Sequence, residues 1–180
     1  PNDFMYIFVG RLVGDKGINE LVKAFQNLNS SNLKLLLVGP FEGDLDPLSA
    51  ETLKEINENP HIISVGFQQD VRPYFAISDA LVFPSYREGF PNVVMQAGAM
   101  SLPSIVTNIN GCNEIIEDSK NGLIIPRKNV EALVNAMLKM VGDQEQYLKL
   151  KQNARPMIVN RYQREEVWQA LLEEYKSLLQ

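Results

Sequence analysis

Two rhythms of apolar residues alternate along this chain. Short continuous runs, MYIFV (5–9), LKLLLV (33–38), HIISV (61–65), ALVF (80–83), SIVT (104–107) and GLIIP (122–126), have the length and composition of buried strands. Between them the period lengthens: Ile18, Leu21, Val22, Phe25 and Leu28 fall on one helical stripe, as do Val130, Leu133, Val134, Met137, Leu138 and Val141. Unbroken apolar strands interleaved with amphipathic helices predict an α/β fold. Its core is a doubly wound, mostly parallel six-stranded sheet of Rossmann-like type.

After Gly142 the alternation stops and two helical stretches remain. In the second, Val167, Leu171, Leu172, Tyr175, Leu178 and Leu179 make a broad apolar face with Trp168 beside it, which needs a surface to cover. Pro40, Pro47, Pro60, Pro84, Pro103 and Pro126 sit near predicted element ends, where a proline break is tolerated. With no fixed-period repeat and no Gly/Ser-rich linker, residues 1–160 read as one domain, followed by a helical tail over 161–180.

Composition changes little in that picture. At 180 residues the chain suffices for one α/β domain with a sizeable core, and 45% hydrophobic with 22% charged residues is ordinary for a folded globular chain. The net charge of −5, without any Lys/Arg cluster, argues against nucleic acid as a partner. Cys112 stands alone, no cysteine and histidine cluster has zinc spacing, and a reducing, cytoplasmic setting is expected. No apolar run approaches the roughly 20 residues that span a bilayer, and no signal-peptide plan opens the chain. A start without Met that enters a strand almost at once reads as a piece of a longer chain.

Candidate chemistry lies in two stretches. The first, GRLVGDKG (10–17), follows the first strand and opens the first helix. It is neither a Walker A loop nor GxGxxG. Glycines at 10, 14 and 17 nevertheless permit a tight turn, and Arg11 and Lys16 are predicted to overhang the carboxyl end of the sheet, where open α/β folds bind ligands. That is a geometry for a diphosphate; the plainer alternative is a solvated loop with two incidental cations.

The second stretch is SYREGFPNVVMQAGAM (85–100), after the fourth strand. Pro91 suits the first turn of a helix, and the amides of Asn92, Val93 and Val94 then form the positive end of the helix dipole. Val93, Val94, Ala97 and Met100 are expected to anchor this helix, leaving Asn92, Gln96 and Ala99 on the neighbouring stripe. Glu88, just ahead of the helix, and Gln96, within it, border one cleft in this arrangement.

Together the two stretches resemble the nucleotide-sugar-binding, C-terminal half of retaining group 1 glycosyltransferases of the GT-B fold. FVGRLVGDKGINELVKAF, LKLLLVGP, ISVGFQQDVRPYFAISDALVFPSYREGFPNVVMQAGAM and SIVTNINGCNEIIEDSKNGLIIP follow the family pattern in order over essentially the whole chain. The resemblance implies that Arg11 and Lys16 contact the donor diphosphate beside Gly10. It also implies that Gly89, Phe90, Pro91, Asn92, Val93 and Val94 cradle phosphate and sugar, and that Glu88 holds sugar hydroxyls. The second glutamate of the family's Glu-seven residues-Glu motif grips the ribose; here Gln96 occupies that place, a departure expected to weaken the contact about fivefold.

SVGFQ (64–68) resembles the segment beside the base, which makes Gly66 and Phe67 base neighbours, although Phe67 also fits a core position. Glu114 matches a family segment near the donor pocket, with Asn113 in place of a proline, but a carboxylate at a helix start is the simpler reading. Asp44 and Asp46 form an Asp-x-Asp sequence in a Gly/Pro-rich loop, where a turn or helix cap is favoured over a metal site. His61 lacks a nucleophile or metal partner in the sequence and is assigned a structural or exposed role.

The expected activity is sugar transfer from a nucleotide diphosphate sugar to an acceptor hydroxyl, with no metal, no cofactor and retention implied by the resemblance. Bacterial lipopolysaccharide or capsular polysaccharide assembly is the expected setting, with peripheral membrane association of the full-length protein. The sugar or lipid-linked acceptor belongs to an N-terminal domain before Pro1, to which the last helix crosses back. The isolated domain is expected to bind nucleotide weakly and transfer nothing. An epimerase or phosphorylase of the same architecture, or a non-catalytic nucleotide-sugar scaffold, are the alternatives.

Overall fold

The computed structural model describes residues 3–44 and 46–179; Pro1, Asn2, Leu45 and Gln180 lie outside them. Six strands, β1 (Phe4–Val9), β2 (Leu33–Val38), β3 (Ile62–Ser64), β4 (Ala80–Phe83), β5 (Ser104–Thr107) and β6 (Gly122–Ile125), form one sheet in the order β3-β2-β1-β4-β5-β6. Every pairing is parallel. The central strands bury both faces: Tyr6, Ile7 and Phe8 of β1, like Ala80, Leu81 and Val82 of β4, are fully shielded. That explains why the sequence shows continuous apolar runs without alternation.

The helices are α1 (Ile18–Leu28), α2 (Ala50–Glu58), α3 (Arg72–Ala76), α4 (Asn92–Ala99), α5 (Cys112–Ile115), α6 (Val130–Gly142), α7 (Gln144–Tyr162) and α8 (Arg164–Leu178). α1 buries Ile18, Leu21, Val22 and Phe25, the stripe its spacing predicts. α6 differs: Leu133, Ala136, Met137 and Met140 face the core, whereas Leu138 and Val141 are exposed. Its inward face is therefore rotated towards the small Ala136. Helix starts are capped in the ordinary way, by Ser49 on α2 and Asn129 on α6.

α7 packs across α4 through Gly98, where an added Cβ would stand 2.6 Å from Ile158 Cγ1. Val94, Ala97 and Gly98 form the buried face of α4, and Met100, expected to anchor the helix, is instead exposed. A helix this close to its neighbour needs small residues at the crossing, so Gly98 replaces Met100 as the anchor. The packed region ends near Gln163. α8 contributes no buried residue, and Val167, Trp168, Leu171, Leu172, Tyr175 and Leu178 are about half exposed or more. No helix among the described residues is long and apolar enough to cross a membrane.

Candidate functional site

The order 3-2-1-4-5-6 reverses between β1 and β4, and at such a point the loops leaving the two strands diverge to opposite faces and open a crevice at their carboxyl ends. Both candidate stretches leave from there. Residues 10–17 follow β1 through a 3₁₀ turn, Gly14–Lys16, and enter α1; residues 84–91 follow β4 and enter α4.

Close backbone contact fixes the two loops against each other. Gly17, at φ +71°, lies so near β4 that an added Cβ would sit 2.2 Å from Pro84 O. The Tyr86 amide donates to Asp15 O at 2.8 Å, and the Tyr86 hydroxyl donates to Glu20 Oε1 at 2.6 Å. Arg127 Nη1 donates to Tyr86 O at 3.2 Å and Lys128 Nζ stands 4.6 Å from the Tyr86 ring centroid. From the β5 side, Gly111, at φ +77°, approaches Gly89 O to 2.3 Å of its missing Cβ, and Thr107 Oγ1 donates to Ser85 O. Only glycine combines this left-handed backbone with that approach.

At the junction, Lys16 Nζ donates to Glu88 Oε1 at 2.5 Å. Their side chains are 14% and 17% exposed, so the pair is largely withdrawn from water but open on one side. Ser85 Oγ also donates to Glu88 Oε1, at 2.7 Å, which fixes the carboxylate from a second direction. Beneath it lies Cys112, fully buried at the start of α5. Burial, then the neighbouring Glu88 charge, push the Cys112 thiol up to about 12, with Lys16 opposing.

Pro91 is the N-cap of α4 rather than its first helical residue. The correction is small and has a cause: Pro91 is buried with an extended ψ of 100°, so the chain turns into the helix one residue later. Among the described residues no side chain caps α4; the Val94 amide bonds back to Pro91 O at 3.0 Å, and the amides of Asn92 and Val93 have no side-chain acceptor among those residues. Asn92 and Gln96 are both exposed and, four residues apart, share one face. Phe90 is partly exposed and meets Tyr162 edge to face, with centroids 5.5 Å apart.

Arg11 takes a different course from Lys16. Its guanidinium turns to the β2 side, where Nη1 donates to Glu42 Oε2 at 3.0 Å. The hydrogen bond and charge of Glu42 raise the Arg11 pKa further, with smaller contributions from Asp15 and Glu88. Arg11 and Lys16 therefore leave one loop and feel a common carboxylate, Glu88, although each is paired across to a different neighbouring loop, Arg11 to Glu42 after β2 and Lys16 to Glu88 after β4. Arg11 and Glu42 border a cleft of about 380 Å³ whose floor is Val9, Gly10, Val38 and Gly39 and whose far wall is Phe67, Gln68 and Val71. Phe67 is 73% exposed, which excludes the core role. Gly66 holds φ +67° and its carbonyl accepts the Gly39 amide at 2.9 Å.

The remaining candidates have local roles. Asp46 O accepts from Gly14 N at 3.2 Å and its carboxylate accepts from Asp15 N at 2.5 Å, so it caps the 3₁₀ turn. Glu114 Oε1 accepts from the Gly111 amide at 3.2 Å, and its carbonyl accepts from the Tyr162 hydroxyl at 3.0 Å. His61 Nδ1 lies 2.8 Å from Lys34 Nζ at the amino end of β3. Among the described residues no cluster of three His, Cys, Asp or Glu side chains has a metal-holding arrangement. Sequence reasoning missed Ser85, Glu42, Tyr86 and Gly111. Only Gly111 carries a local signal, a glycine opening a helix; the others depend on tertiary approach.

A crevice at the Rossmann switch point, walled by glycine-dependent backbone and bordered by two cations and the start of α4, lies where open α/β domains take their ligands. The family model for glycosyl transferases group 1 matches residues 1–157, and the chain belongs to that family. It is similar to the capsular polysaccharide biosynthesis glycosyltransferase CapM of Staphylococcus aureus, 28% identical over 99% of this chain and 47% of CapM. Among solved structures it resembles sucrose-phosphate synthase of Thermosynechococcus elongatus, with TM-score 0.85, 27% identity and coverage of 98% of this chain and 46% of that one. It also resembles Anabaena HepE in complex with UDP and glucose, with TM-score 0.89, 22% identity and coverage of 98% and 49%. The chain spans about half the length of the relatives it matches.

Proposed function

We propose that these 180 residues are the donor-binding part of a retaining glycosyltransferase that moves a sugar from a nucleotide diphosphate sugar to an acceptor hydroxyl. The observation that carries this reading is the meeting of Lys16 with Glu88 beside the open start of α4, at the point where the sheet order reverses. A cation, a carboxylate and a helix N-terminus in one place match the three demands of the reaction: neutralise a departing diphosphate, hold sugar hydroxyls and bind phosphate oxygens.

During transfer the anomeric C–O bond to the β-phosphate breaks, a bond to the acceptor oxygen forms, and the acceptor's proton is released. Negative charge grows on the leaving diphosphate while the ring acquires oxocarbenium character. Arg11, Lys16 and the amides of Asn92 and Val93 are the groups brought to bear on that growing charge, the kind of electrostatics that contributes most to catalysis. Glu88, braced by Ser85, orients the sugar. Protein cations take the place of a metal in this scheme.

Phe67 and Gly66 flank the base in the cleft beside Arg11, and Gln96 accepts from a ribose hydroxyl through its amide oxygen. The acceptor, a sugar or lipid-linked hydroxyl, is bound by protein outside these residues, with capsular or lipopolysaccharide assembly at the inner membrane face as the setting. CapM's name supports that setting, and the UDP and glucose bound to HepE support a nucleotide-sugar donor.

Calorimetric titration of the chain with UDP, GDP and ADP in the presence of a chelator tests the reading. Binding of one of the three, weakened about tenfold or more in Lys16→Met, is expected, with no sugar transfer by the 180 residues alone. Absence of binding by all three overturns it.

A further inference from the structure

The two cations at the rim are held in unlike ways. Lys16 is gripped by Glu88, which also accepts from Ser85, and both partners are mostly withdrawn from water. Arg11 meets Glu42 through one nitrogen, at 3.0 Å, and the two side chains are 48% and 41% exposed. Among the described residues the Glu42 carboxylate has no other hydrogen-bond partner. An exposed single-point pair of this kind stabilises little and exchanges readily.

The backbone nevertheless brings these two residues together. Gly10 N donates to Val38 O at 2.9 Å and Leu12 N to Pro40 O at 2.8 Å, so the loop leaving β1 continues alongside the loop leaving β2. Leu12 and Phe41 form an isolated parallel bridge just beyond the sheet. Gly39 fits so closely that an added Cβ would overlap Gly10 O. Arg11 and Glu42 therefore project from neighbouring, fixed segments. They form the ridge between the apolar cleft under Phe67 and a second cleft of about 310 Å³ that holds Asp15, Asp46 and Arg87.

We propose that Glu42 is an internal competitor of the donor's diphosphate: its carboxylate occupies Arg11 in the empty site and yields the guanidinium when a nucleotide diphosphate arrives. A carboxylate and a phosphate oxygen ask the same of a guanidinium, a planar acceptor for its N–H groups, so one replaces the other with little rearrangement. The diphosphate brings more charge and wins. Its affinity is lowered by the displaced pair and by the repulsion of the Glu42 charge left close by. The consequence is a donor site tuned for weak binding and quick release of the nucleotide product.

The inference rests on the assignment of Arg11 to the diphosphate, and the experiment separates the two. Wild type, Arg11→Ala, Glu42→Gln and the double variant are each titrated with UDP and with inorganic pyrophosphate, at low salt and at about 0.5 M salt, with thermal unfolding as a check that the fold is kept. Glu42→Gln is expected to tighten both ligands about fivefold at low salt, the gain shrinking at high salt as exposed charges are screened. Arg11→Ala weakens both, and in that background the gain from Glu42→Gln falls to twofold or less. If Glu42→Gln weakens binding, Glu42 orients Arg11 instead and the proposal fails. An equal gain in both backgrounds also overturns it, since Glu42 then acts as a general repelling charge. If Arg11→Ala leaves both ligands bound as before, the assignment of Arg11 falls, and the competition with it.

Discussion

Lys16 Nζ lies 2.5 Å from Glu88 Oε1, although 72 residues separate them in the chain. The contact is a product of strand order: β1 and β4 are neighbours in the sheet, so a residue shortly after one meets a residue shortly after the other. Gly17 against Pro84 and the Tyr86 amide on Asp15 O hold the two loops in that register. In the proposed function this paired, partly desolvated cation and carboxylate meet the phosphate and the hydroxyl groups of the donor.

The pair carries a prediction in which binding and stability move separately. Lys16→Met removes one cation from the diphosphate and leaves Glu88 mostly buried with only Ser85 as partner. Nucleotide affinity is expected to fall about tenfold to a hundredfold and unfolding stability by about 2 kcal/mol. Adding Glu88→Gln removes the stranded charge and restores most of the stability but none of the affinity. Denaturant unfolding and UDP titration of the two variants check this; a double variant no more stable than the single one contradicts the burial argument.

Gly111 reports on geometry without changing charge. At φ +77°, with a Cβ position 2.3 Å from Gly89 O, Gly111→Ala must push residues 89–91 away from β5. A loss of about 2 kcal/mol in stability and of several fold in UDP affinity is expected. Gly43→Ala, where nothing lies within 4 Å, serves as the control and is expected to stay within about 0.5 kcal/mol of wild type.

The fold was largely legible because its strands are buried on both faces: β2, β4 and β5 coincide with their apolar runs to the residue, and the other three to within one or two. Local pattern sufficed where one face of an element dominates, as in α1. It failed where a small residue makes the contact, since Gly98 of α4 and Ala136 of α6 carry little hydropathy signal yet are buried. Lys16, Glu88 and the start of α4 were readable as candidates because their spacing within each loop is local, and the structure brings Lys16 and Glu88 together. Glu42 was not, because its partner Arg11 comes from the adjacent loop and the two are aligned by tertiary backbone contacts, the bonds from Gly10 and Leu12 and the bridge between Leu12 and Phe41. The terminal apolar face was also legible, but sequence alone does not say that α8 leaves it uncovered within the described residues.

Cys112 provides a pH test of the buried side of the site. Its thiol is raised to about 12, above the ordinary thiol range near 9, so the folded chain holds that proton more tightly than the unfolded chain. The resulting stability is complete below about pH 9 and is lost as pH rises towards 12. Wild-type stability is expected to fall more steeply than that of Cys112→Ala across this window, by up to about 1.4 kcal/mol per pH unit. Tyr6, whose buried phenol is raised well beyond its usual range, titrates in both proteins and cancels. Alkylation by iodoacetamide at pH 8 should be negligible in the folded chain and prompt in denaturant, because a neutral thiol without solvent access is inert.

Gln96 decides whether the exposed face of α4 holds the ribose. It lies one turn beyond Asn92 on the same face and is open to solvent, so a glutamate there meets no steric obstacle. Placed on the ribose hydroxyls, a carboxylate forms charge-assisted hydrogen bonds roughly twice as strong as those of the amide, against some added repulsion from the diphosphate. Gln96→Glu is therefore expected to tighten UDP about fivefold while leaving inorganic pyrophosphate unchanged or slightly weaker. The difference between the two ligands isolates the ribose, since pyrophosphate has none. Equal effects on both would mean that residue 96 acts only through its charge, and the ribose would then have to lie elsewhere on the rim.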